Sequence, residues 1–374
     1  MPAISSRALY ASTPSGDVVA IDTRTGRELW HVTIPPDPDG KPITSLGDPE
    51  ADGDLVVVQG IRGEVSYGRP ADSFVTALDA TTGATKWTSH QPDVISARVS
   101  GRLVHCETNG QVRTLDAATG RLSWSWPENT PEKPEAARMD VLPGIILFCR
   151  FRRGAALTAL DPSTGNELWT LDLDAEHVDH VIADPEIVAV ASRTGPDDTS
   201  GLTVVDRATG RRLWRRRPKN LHTDLTIRGG QLCVCDRTHI RAYDRVTGTE
   251  IWRHPLAAPR SPAFFRAEGG LLLVSMTAEA ADGTFRTVIF DHKGRAAHTL
   301  RLPAPLTPAA ADRGVVFAVA GNLDAEAMAL DLATGEFLWK TRVAKDSQLF
   351  YANDLVYVWG PTISALDPAT GSPV

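Results

Sequence analysis

Length, composition and charge narrow the classes of protein to which this chain can belong. It has 374 residues, of which 42% are hydrophobic and 23% charged, and a formal net charge of −7 at pH 7. That composition is typical of a folded chain with a sizeable core. The negative charge argues against nonspecific binding to nucleic acid or to anionic membranes, since both need a positive surface, so we expect neither partner.

The start of the chain and its apolar runs bear on where the protein resides. The first residues lack the basic start and long apolar stretch of a signal peptide. Apolar runs such as 144–149 and 270–275 are far shorter than the ~20 residues that cross a bilayer, so they predict strands and no membrane insertion. We therefore expect a cytoplasmic protein, or an extracytoplasmic one if an export signal or a fused segment has been removed.

One motif, Asp-x-x-Thr-Gly-x-x-x-Trp, recurs from one end of the chain to the other. Its seven well-formed copies carry Asp22, Gly26, Trp30; Asp79, Gly83, Trp87; Asp116, Gly120, Trp124; Asp161, Gly165, Trp169; Asp206, Gly210, Trp214; Asp244, Gly248, Trp252; and Asp331, Gly335, Trp339. Two copies are degraded: the Asp291 copy is one residue shorter and has His298 in place of Trp, and the Asp367 copy ends soon after Gly371. The nine Asp positions lie about 43 residues apart on average, which is the period of a repeat fold.

Each part of the motif has a physical role in a β-hairpin. The Asp carboxylate can accept hydrogen bonds from the turn backbone, and Gly supplies the left-handed residue of the turn. The Trp ring, on the strand that follows, can fill the gap between neighbouring sheets. Two further strand signals precede each hairpin, for example at 94–99 and 102–106. Each unit is therefore predicted to be a four-stranded antiparallel sheet, and such units repeated radially form a β-propeller.

The repeated hairpin resembles the tryptophan-docking motif of the PQQ-like, BamB-like propeller family, and the resemblance covers essentially all of residues 1–374. It implies a single β-propeller domain, usually of eight blades. Members of that family include quinoprotein dehydrogenases, the outer-membrane assembly scaffold BamB and sensor domains of bacterial Ser/Thr kinases. These functions differ, so the fold alone does not choose between them.

Blade number depends on the two ends of the chain. The N-terminal residues supply the second to fourth strands of a unit and the C-terminal residues supply the first to third, six strands where one shared blade needs four. An eight-bladed ring leaves two strands spare, and a nine-bladed ring lacks one first and one fourth strand. Because the resemblance implies eight, we expect an all-β, eight-bladed propeller closed between the termini, with nine blades as the alternative.

Polar residues on the predicted inner strands are the candidates for a ligand site. Asp179 and His180 align with Asp224 and its neighbour in the next unit, and His222 lies close by in sequence. These four residues are candidates for a polar-ligand, metal or acid–base site in the central channel. A water-filled channel lined by solvated polar groups is the interpretation that we favour. A shared metal site is disfavoured because His177 and His180 are three residues apart and point to opposite faces of a strand.

No cofactor is predicted. The run from Asp48 to Asp54 imitates the start of a calcium loop, but Gln59 stands where the closing Glu is needed, so a turn is favoured. The four cysteines fall at core positions of predicted second strands, and the chain lacks the adjacent-cysteine disulfide of quinoprotein alcohol dehydrogenases. Pyrroloquinoline quinone (PQQ) and calcium are therefore considered and not favoured.

The remaining signals favour binding over catalysis. The basic run 211–219 could dock an acidic partner, although charges on an outer strand also prevent edge-to-edge aggregation. There are long connections at 34–46, 62–73 and 126–135, and such connections often carry the functional residues of repeat proteins. The common phosphate-binding, zinc-protease and serine-hydrolase motifs are missing. We expect a non-catalytic scaffold or sensor propeller for a protein or small ligand, with a quinone- or metal-dependent oxidoreductase as the alternative.

Overall fold

The chain folds into antiparallel strands in a computed structural model, which describes residues 3–63, 72–108, 110–128, 136–151, 154–194, 199–217, 221–236, 238–256, 262–268, 271–279, 284–302, 304, 306–321, 325–345, 347–360 and 362–374. Across these residues the strands form nine separate sheets, each built from consecutive strands. We number the sheets as blades 1 to 9 in chain order. Two compact units contain them: unit 1 (Met1–Leu173) holds blades 1 to 4, and unit 2 (Asp174–Val374) holds blades 5 to 9.

Unit 1 is built from seventeen strands in the part of the chain that is described. Blade 1 comprises β1 (Ala3–Ile4), β2 (Ala8–Ser12), β3 (Asp17–Asp22) and β4 (Glu28–Thr33). Blade 2 comprises β5 (Ile43–Leu46), β6 (Glu50–Asp52), β7 (Leu55–Arg62), β8 (Asp72–Asp79) and β9 (Thr85–His90). Blade 3 comprises β10 (Val94–Ser100), β11 (Leu103–Thr108), β12 (Gln111–Asp116) and β13 (Leu122–Trp126). Blade 4 comprises β14 (Ala136–Leu142), β15 (Ile145–Phe151), β16 (Ala155–Leu160) and β17 (Glu167–Asp172).

Unit 2 repeats the same order of strands. Blade 5 comprises β18 (His177–Ala183), β19 (Ile187–Thr194), β20 (Thr199–Asp206) and β21 (Arg212–Arg216). Blade 6 comprises β22 (Leu221–Arg228), β23 (Gln231–Asp236), β24 (His239–Asp244) and β25 (Glu250–Pro255). Blade 7 comprises β26 (Pro262–Glu268), β27 (Leu271–Glu279), β28 (Phe285–Phe290) and β29 (Ala296–Leu302). Blade 8 comprises β30 (Leu306–Asp312), β31 (Val315–Ala320), β32 (Glu326–Asp331) and β33 (Phe337–Arg342), and blade 9 comprises β34 (Gln348–Ala352), β35 (Leu355–Trp359) and β36 (Ile363–Leu366).

The first strand of each blade is its inner strand. In unit 2 the inner strands β18, β22, β26, β30 and β34 lie side by side in that order. In unit 1 the split inner strand of blade 2 lies between those of blades 1 and 3. The second and third strands are the most buried, and their side chains form apolar clusters between successive blades. The fold is therefore an all-β propeller of antiparallel blades, as the sequence predicts.

The prediction of eight blades is wrong, and the nine-blade alternative is confirmed. A turn at Ser5, closed by hydrogen bonds with Ala8, folds β1 back onto its own blade, where Ile4 pairs with Leu9. This two-residue strand is the first strand that the sequence analysis could not find. At the other end, the fourth strand is reduced to one bridge between Leu366 and Pro373. Each terminus thus builds its own sheet, and no blade is shared between them in the described residues.

The repeated Asp organises each hairpin turn. In blade 1, Asp22 Oδ1 accepts hydrogen bonds from the backbone N–H groups of Arg24 and Thr25 at 3.0 and 2.8 Å and from the Thr25 hydroxyl at 3.0 Å. Gly26 adopts a φ of 66° and donates its N–H to the Asp22 carbonyl. The hydrogen bonds from Thr25 and Arg24 hold the pKa of the Asp22 carboxyl below its ordinary value.

The repeated Trp docks onto the hairpin of the next blade. Trp87 of blade 2 donates its indole N–H to the Ala117 carbonyl of blade 3 at 2.8 Å. Its ring covers Gly120, where an added Cβ would lie 2.5 Å from a ring carbon. The same indole-to-carbonyl bond is made, at 2.8–3.2 Å, by Trp30, Trp124, Trp214 and Trp339. At these five junctions the motif therefore holds successive blades together by packing and by one hydrogen bond.

Replacing Gly120 by Ala should destabilise the chain more than replacing Gly101 by Ala. Both glycines have a positive φ, 69° and 58°, so each Ala costs about 1 kcal/mol in backbone strain. At Gly120 the new Cβ would also strike the Trp87 ring, whereas at Gly101 it meets nothing within 4 Å. We expect Gly101→Ala to lower the unfolding free energy in urea by about 1 kcal/mol and Gly120→Ala by about 3 kcal/mol. Equal losses of unfolding free energy in the two variants would contradict a close fit of the Trp87 ring over Gly120.

One fully buried histidine lies between blades 3 and 4. The His105 side chain is 0% exposed, its Nδ1 lies 2.8 Å from Thr114 Oγ1, and its Nε2 has no hydrogen-bond partner in the described part of the chain. Its ring lies 6.0 Å from that of Trp124. Burial lowers the pKa of His105 to about 4, because the charged imidazolium would lose its hydration.

The stability of the fold should fall as the pH drops from about 6.5 to about 4 because of His105. The unfolded chain binds a proton near the ordinary histidine pKa, about 6.5, whereas the folded chain resists it down to about 4. The loss should approach about 3 kcal/mol at pH 4 and then level off. Urea unfolding at several pH values should show this loss in the wild type and not in His105→Gln. Parallel curves for the two proteins would contradict the assignment to His105.

Candidate binding site at the inner strands

The inner strands are interrupted near their first residues in several blades. Pairing with the second strand shifts register around Thr44 in β5, Ile95 in β10 and Asp179 in β18. Similar shifts occur in β22, β26 and β30. A β-bulge leaves one residue out of the ladder and re-aims its side chain, and bulges are frequent beside functional sites. The bulged positions are therefore where the inner strands depart from regular pairing, and they are candidates for a binding surface.

Asp179, the first candidate from the sequence, lies in the bulge of blade 5. Arg193 on the neighbouring strand donates through Nε to both carboxylate oxygens, at 2.8 and 2.7 Å, and its Nη2 lies 2.6 Å from Oδ1. The Asp179 side chain is 8% exposed and that of Arg193 is 44% exposed. The carboxylate is thus neutralised by a guanidinium of its own blade, and the arginine is the more accessible member of the pair.

Of the other three candidates, only His180 has a side chain among the described residues. His180 follows it on β18, half-buried and paired with Ala191. His222 and Asp224 lie on β22 of the adjacent blade, in the stretch where pairing with β23 is interrupted, and their side chains fall outside the described residues. Among side chains that are described, Asp179 is joined to an arginine and not to a histidine. The four-residue site therefore remains a prediction.

Metal-binding geometry is not found in the described residues, where no group of three or more His, Cys, Asp or Glu side chains is placed to hold an ion. In the acidic run of blade 2, Asp52 accepts a hydrogen bond from the Gly101 N–H at 2.8 Å. Asp54 pairs with Lys86 at 2.7 Å. These carboxylates hold a turn and neighbouring strands, which agrees with the turn interpretation of the run.

The four cysteines are buried, and none of them forms a disulfide. Burial raises the pKa of Cys106 and Cys149 to about 12 and that of Cys233 to about 11. Thiolate is the reactive form of cysteine, so these thiols are poor nucleophiles and poor metal ligands. They occupy core positions between blades, with Cys233 and Cys235 in the same apolar cluster.

Three arginines of the basic run on the outer strand of blade 5 have partners within unit 2. Arg215 and Arg217 approach Asp174 at 3.2 and 3.6 Å, and Arg216 donates to the Gly248 carbonyl at 2.9 Å. Lys219 lies outside the described residues. Internal pairing of this kind fits protection of the outer edge better than a free acid-binding surface.

A pocket of about 380 Å³ opens in unit 1 between blades 2 and 3. It is lined by Ser45, Gly47, Gln59, Gly60, Ile61, Asp93, Val94 and Ile95. Sequence reasoning missed it, although two signals were present: the long connection at 34–46, which contains β5, and the inner-strand position of Ile95. Its walls include Ile95, the residue that the bulge leaves out of the ladder in blade 3. Asp179 occupies the equivalent position in blade 5.

A charged cluster on the inner strands lies in the same two blades. Arg98 of β10 pairs with Glu50 of β6 at 3.0 Å, and the Ser96 hydroxyl donates to Glu107 at 2.8 Å. Burial raises the pKa of both the Glu50 and the Glu107 carboxyls, partly offset by these partners. Each carboxyl has an internal partner, so the cluster ties blades together and does not present a free acid.

These features define a repeat propeller whose blades are joined by tryptophan-docked hairpins. A family model described as outer membrane protein assembly factor BamB matches residues 1–127, 108–341 and 236–374. The chain therefore belongs to the PQQ-like, BamB-type β-propeller repeat family.

Individual relatives agree with this assignment. The chain is 26% identical over 263 residues to the outer membrane protein assembly factor BamB of Burkholderia pseudomallei, covering 66% of this chain and 63% of that protein. It is 30% identical over 166 residues to the serine/threonine-protein kinase AfsK of Streptomyces coelicolor, covering 42% of this chain and 18% of the kinase. The crystal structure of BamB from Moraxella catarrhalis has a TM-score of 0.56 at 20% identity, covering 86% of this chain and 93% of that one. At that identity the likeness shows the fold alone.

The chain spans less than two thirds of the length of the curated assembly factors that it matches, between 40% and 63% of each. Whether this chain shares the function of those complete proteins is therefore a proposal. In the part of the chain that the structure describes, no helix has the length and apolar character needed to cross a membrane.

Breaking the Asp179–Arg193 pair should cost little and should show coupling. We expect Asp179→Asn and Arg193→Gln each to lower the unfolding free energy by about 1 kcal/mol, because the arginine is half exposed and solvent screens the pair. The double variant should lose about 1 kcal/mol less than the sum of the two. Added salt should reduce this coupling. Strictly additive losses in urea unfolding would contradict a role for the pair in holding the bulge.

Proposed function

We propose that this chain is a non-catalytic scaffold that binds a protein partner. The observation that carries the proposal is the pairing of Asp179, one of the four candidate site residues, with Arg193 of its own blade. Both oxygens of this carboxylate already accept hydrogen bonds from a guanidinium of the same blade, so neither is directed at a ligand. Membership of a family named for an assembly factor supports the same interpretation.

The positions of the long connections support partner binding. The connection at 34–46 joins blade 1 to blade 2, that at 62–73 joins β7 to β8, and that at 126–135 joins blade 3 to blade 4. In an antiparallel four-stranded blade these three kinds of connection fall at the same edge. All three belong to unit 1, although residues 64–71 and 129–135 lie outside the described part. Inserted connections at one edge are where repeat proteins place binding residues.

We further propose an extracytoplasmic location. Three relatives are named as outer membrane assembly factors, and the prediction of a cytoplasmic protein gains no support from the comparisons. The four cysteines are buried and form no disulfide, which is compatible with an oxidising compartment because buried thiols react slowly, and burial raises the pKa of three of them. Fractionation of cells that produce the full-length native protein tests the proposal, and recovery of the chain with cytoplasmic markers would contradict it.

A sensor is the second candidate function. The segment shared with the kinase AfsK is a small part of that protein, which fits a propeller attached to a separate catalytic domain. A sensor of this kind would bind a small ligand and shift between states, whereas a scaffold would bind a protein surface. The two are distinguished by whether small molecules or protein segments raise the thermal stability of the purified chain.

The scaffold proposal predicts no quinoprotein activity. Purified chain incubated with PQQ and calcium should retain no quinone absorbance after desalting and should not oxidise alcohols with an artificial electron acceptor. The physical reason is that Asp179 is held by Arg193 and that no metal-binding cluster occurs in the described residues. An apo-quinoprotein dehydrogenase reconstituted in parallel serves as the positive control. Retention of quinone together with alcohol oxidation would contradict the scaffold proposal.

A further inference from the structure

We propose that the hairpin of blade 1 docks a tryptophan side chain from an acidic, extended segment of a partner protein. The docking surface is formed by Ile21, the turn that Asp22 organises and Gly26, and we call it the blade 1 platform. All of these residues lie in unit 1. The proposal rests on the proposed scaffold function and names the chemistry of the partner.

The motif glycine of blade 1 has no ring over it, unlike the motif glycines of other blades. A Cβ added to any of seven others would lie within 2.7 Å of an indole or imidazole atom, at Gly83, Gly120, Gly165, Gly248, Gly294, Gly335 and Gly371. These seven glycines are buried or half-buried. Gly26 has a similar φ of 66° but is exposed, and a Cβ there would meet nothing within 4 Å in the described part of the chain. Blade 1 therefore presents the docking turn of the repeat without a docked ring.

The residue before each motif Asp forms the apolar floor beneath a docked ring. Trp214 lies on Tyr243 with ring centroids 5.8 Å apart, and Trp252 stacks on Phe290 at 6.2 Å. In the eight other blades the floor residue is at most 5% exposed, as seen at Leu78, Leu115, Leu160, Val205, Tyr243, Phe290, Leu330 and Leu366. Ile21 holds this position in blade 1 and is only half-buried. An apolar floor is thus left partly open to water, and a docked ring would cover it.

The repeat itself indicates which side chain fits the platform. Six of the seven rings that lie on a motif glycine are indoles, and the seventh is the imidazole of His298. A flat ring can lie directly on a glycine, and tryptophan offers the largest area of this shape and is common at the centre of interfaces. The nine tryptophans of this chain are themselves buried or half-buried, so a second copy offers no free indole. The ring therefore comes from a different protein.

The charges around the platform favour an acidic segment. Arg24 and Arg27 belong to the turn, and Arg7 lies beside it because its carbonyl accepts a backbone N–H of that turn at 3.1 Å. All three arginines are exposed. The carboxylates of the same stretch are Glu28 and Asp22, and Asp22 is occupied by hydrogen bonds from the turn. Arginines therefore outnumber carboxylates, and acidic residues next to the docked ring would be attracted.

The test uses three short peptides that separate the ring from the charge. Acetyl-Asp-Trp-Asp-amide carries both features, acetyl-Asp-Leu-Asp-amide lacks the ring, and acetyl-Lys-Trp-Lys-amide reverses the charge. Ligand-observed NMR on the whole chain should give saturable binding of the first peptide at millimolar concentration. It should bind about fivefold more tightly than the leucine peptide because of the ring contact. It should also bind more tightly than the lysine peptide, and added salt should shrink this second difference.

A glycine variant with a matched control assigns the binding to the platform. Gly26→Ala should abolish it, because the new Cβ would take the place of the ring, as at Gly120, where a Cβ would lie 2.5 Å from a ring carbon. Gly101→Ala is the control, since its φ of 58° is close to the 66° of Gly26 and its Cβ also meets nothing within 4 Å. Both variants carry the same kind of backbone strain, so their thermal unfolding should match while their peptide binding differs.

A charge variant gives the answer if Gly26→Ala does not fold. Arg24→Glu combined with Arg27→Glu changes two exposed side chains and should make the lysine peptide bind more tightly than the aspartate peptide. The matched control is Arg211→Glu combined with Arg212→Glu, two exposed residues that follow the motif glycine of blade 5. The control should keep the preference of the wild type for the aspartate peptide.

Several results would overturn the platform as a partner site. These are no saturable binding of the tryptophan peptides, equal binding of the tryptophan and leucine peptides, equal effects of Gly26→Ala and Gly101→Ala, or an unchanged charge preference in the double arginine variant. Self-association of the chain that Gly26→Ala abolishes would place a second copy there instead. Failure here is separable from failure of the scaffold proposal. PQQ-dependent alcohol oxidation removes the scaffold whatever the platform binds, and an inactive chain that ignores the peptides loses the platform and keeps the scaffold.

Discussion

The docking of an indole over a glycine turn is the interaction on which the fold depends. A four-stranded blade has two apolar faces and cannot bury them alone, so it needs a neighbour at a fixed distance. Trp87 sets that distance by reaching the Ala117 carbonyl, and Gly120 permits it because a Cβ would occupy the ring's place. The turn that Asp116 organises by hydrogen bonds holds the Ala117 carbonyl and Gly120 in fixed positions for the Trp87 ring. Asp, Gly and Trp recur together because each is required by the same junction.

Blade 7 shows what the junction needs when the motif is degraded. Its hairpin is one residue short, and Trp252 donates to Gln231, whose amide in turn donates to the His292 carbonyl. On the other side His298 takes the place of Trp, packs over Gly335 and reaches the Ala333 carbonyl at 2.7 Å. In both junctions a ring N–H still ends, directly or by relay, at a turn carbonyl. The junction therefore requires a ring N–H donor and a turn carbonyl acceptor more than it requires an indole ring.

Sequence reasoning succeeded where the determinants are local and failed where they are not. The hairpins followed from residues within one turn, such as Asp22 and Gly26, so the all-β propeller was predictable. Blade number was not, because β1 has two residues and no pattern of its own. Asp179 was correctly placed on an inner strand, but a bulge leaves it out of the ladder, where its side chain meets that of Arg193, the residue paired with His177. Periodicity predicts faces of a strand and carries no signal for such a shift.

The same bulge has different structural consequences in different blades, and the residue that it leaves out of the ladder decides them. In blade 5 the bulged residue is an aspartate, and Arg193 folds over it, so that the inner edge is closed by an ion pair. In blade 3 it is Ile95, which has no charge to pair, and the Gln59 amide holds only its carbonyl while the side chain remains half exposed. The repeat thus offers a series of equivalent positions at which one side chain decides whether the inner edge is closed by an ion pair or leaves an apolar group half exposed.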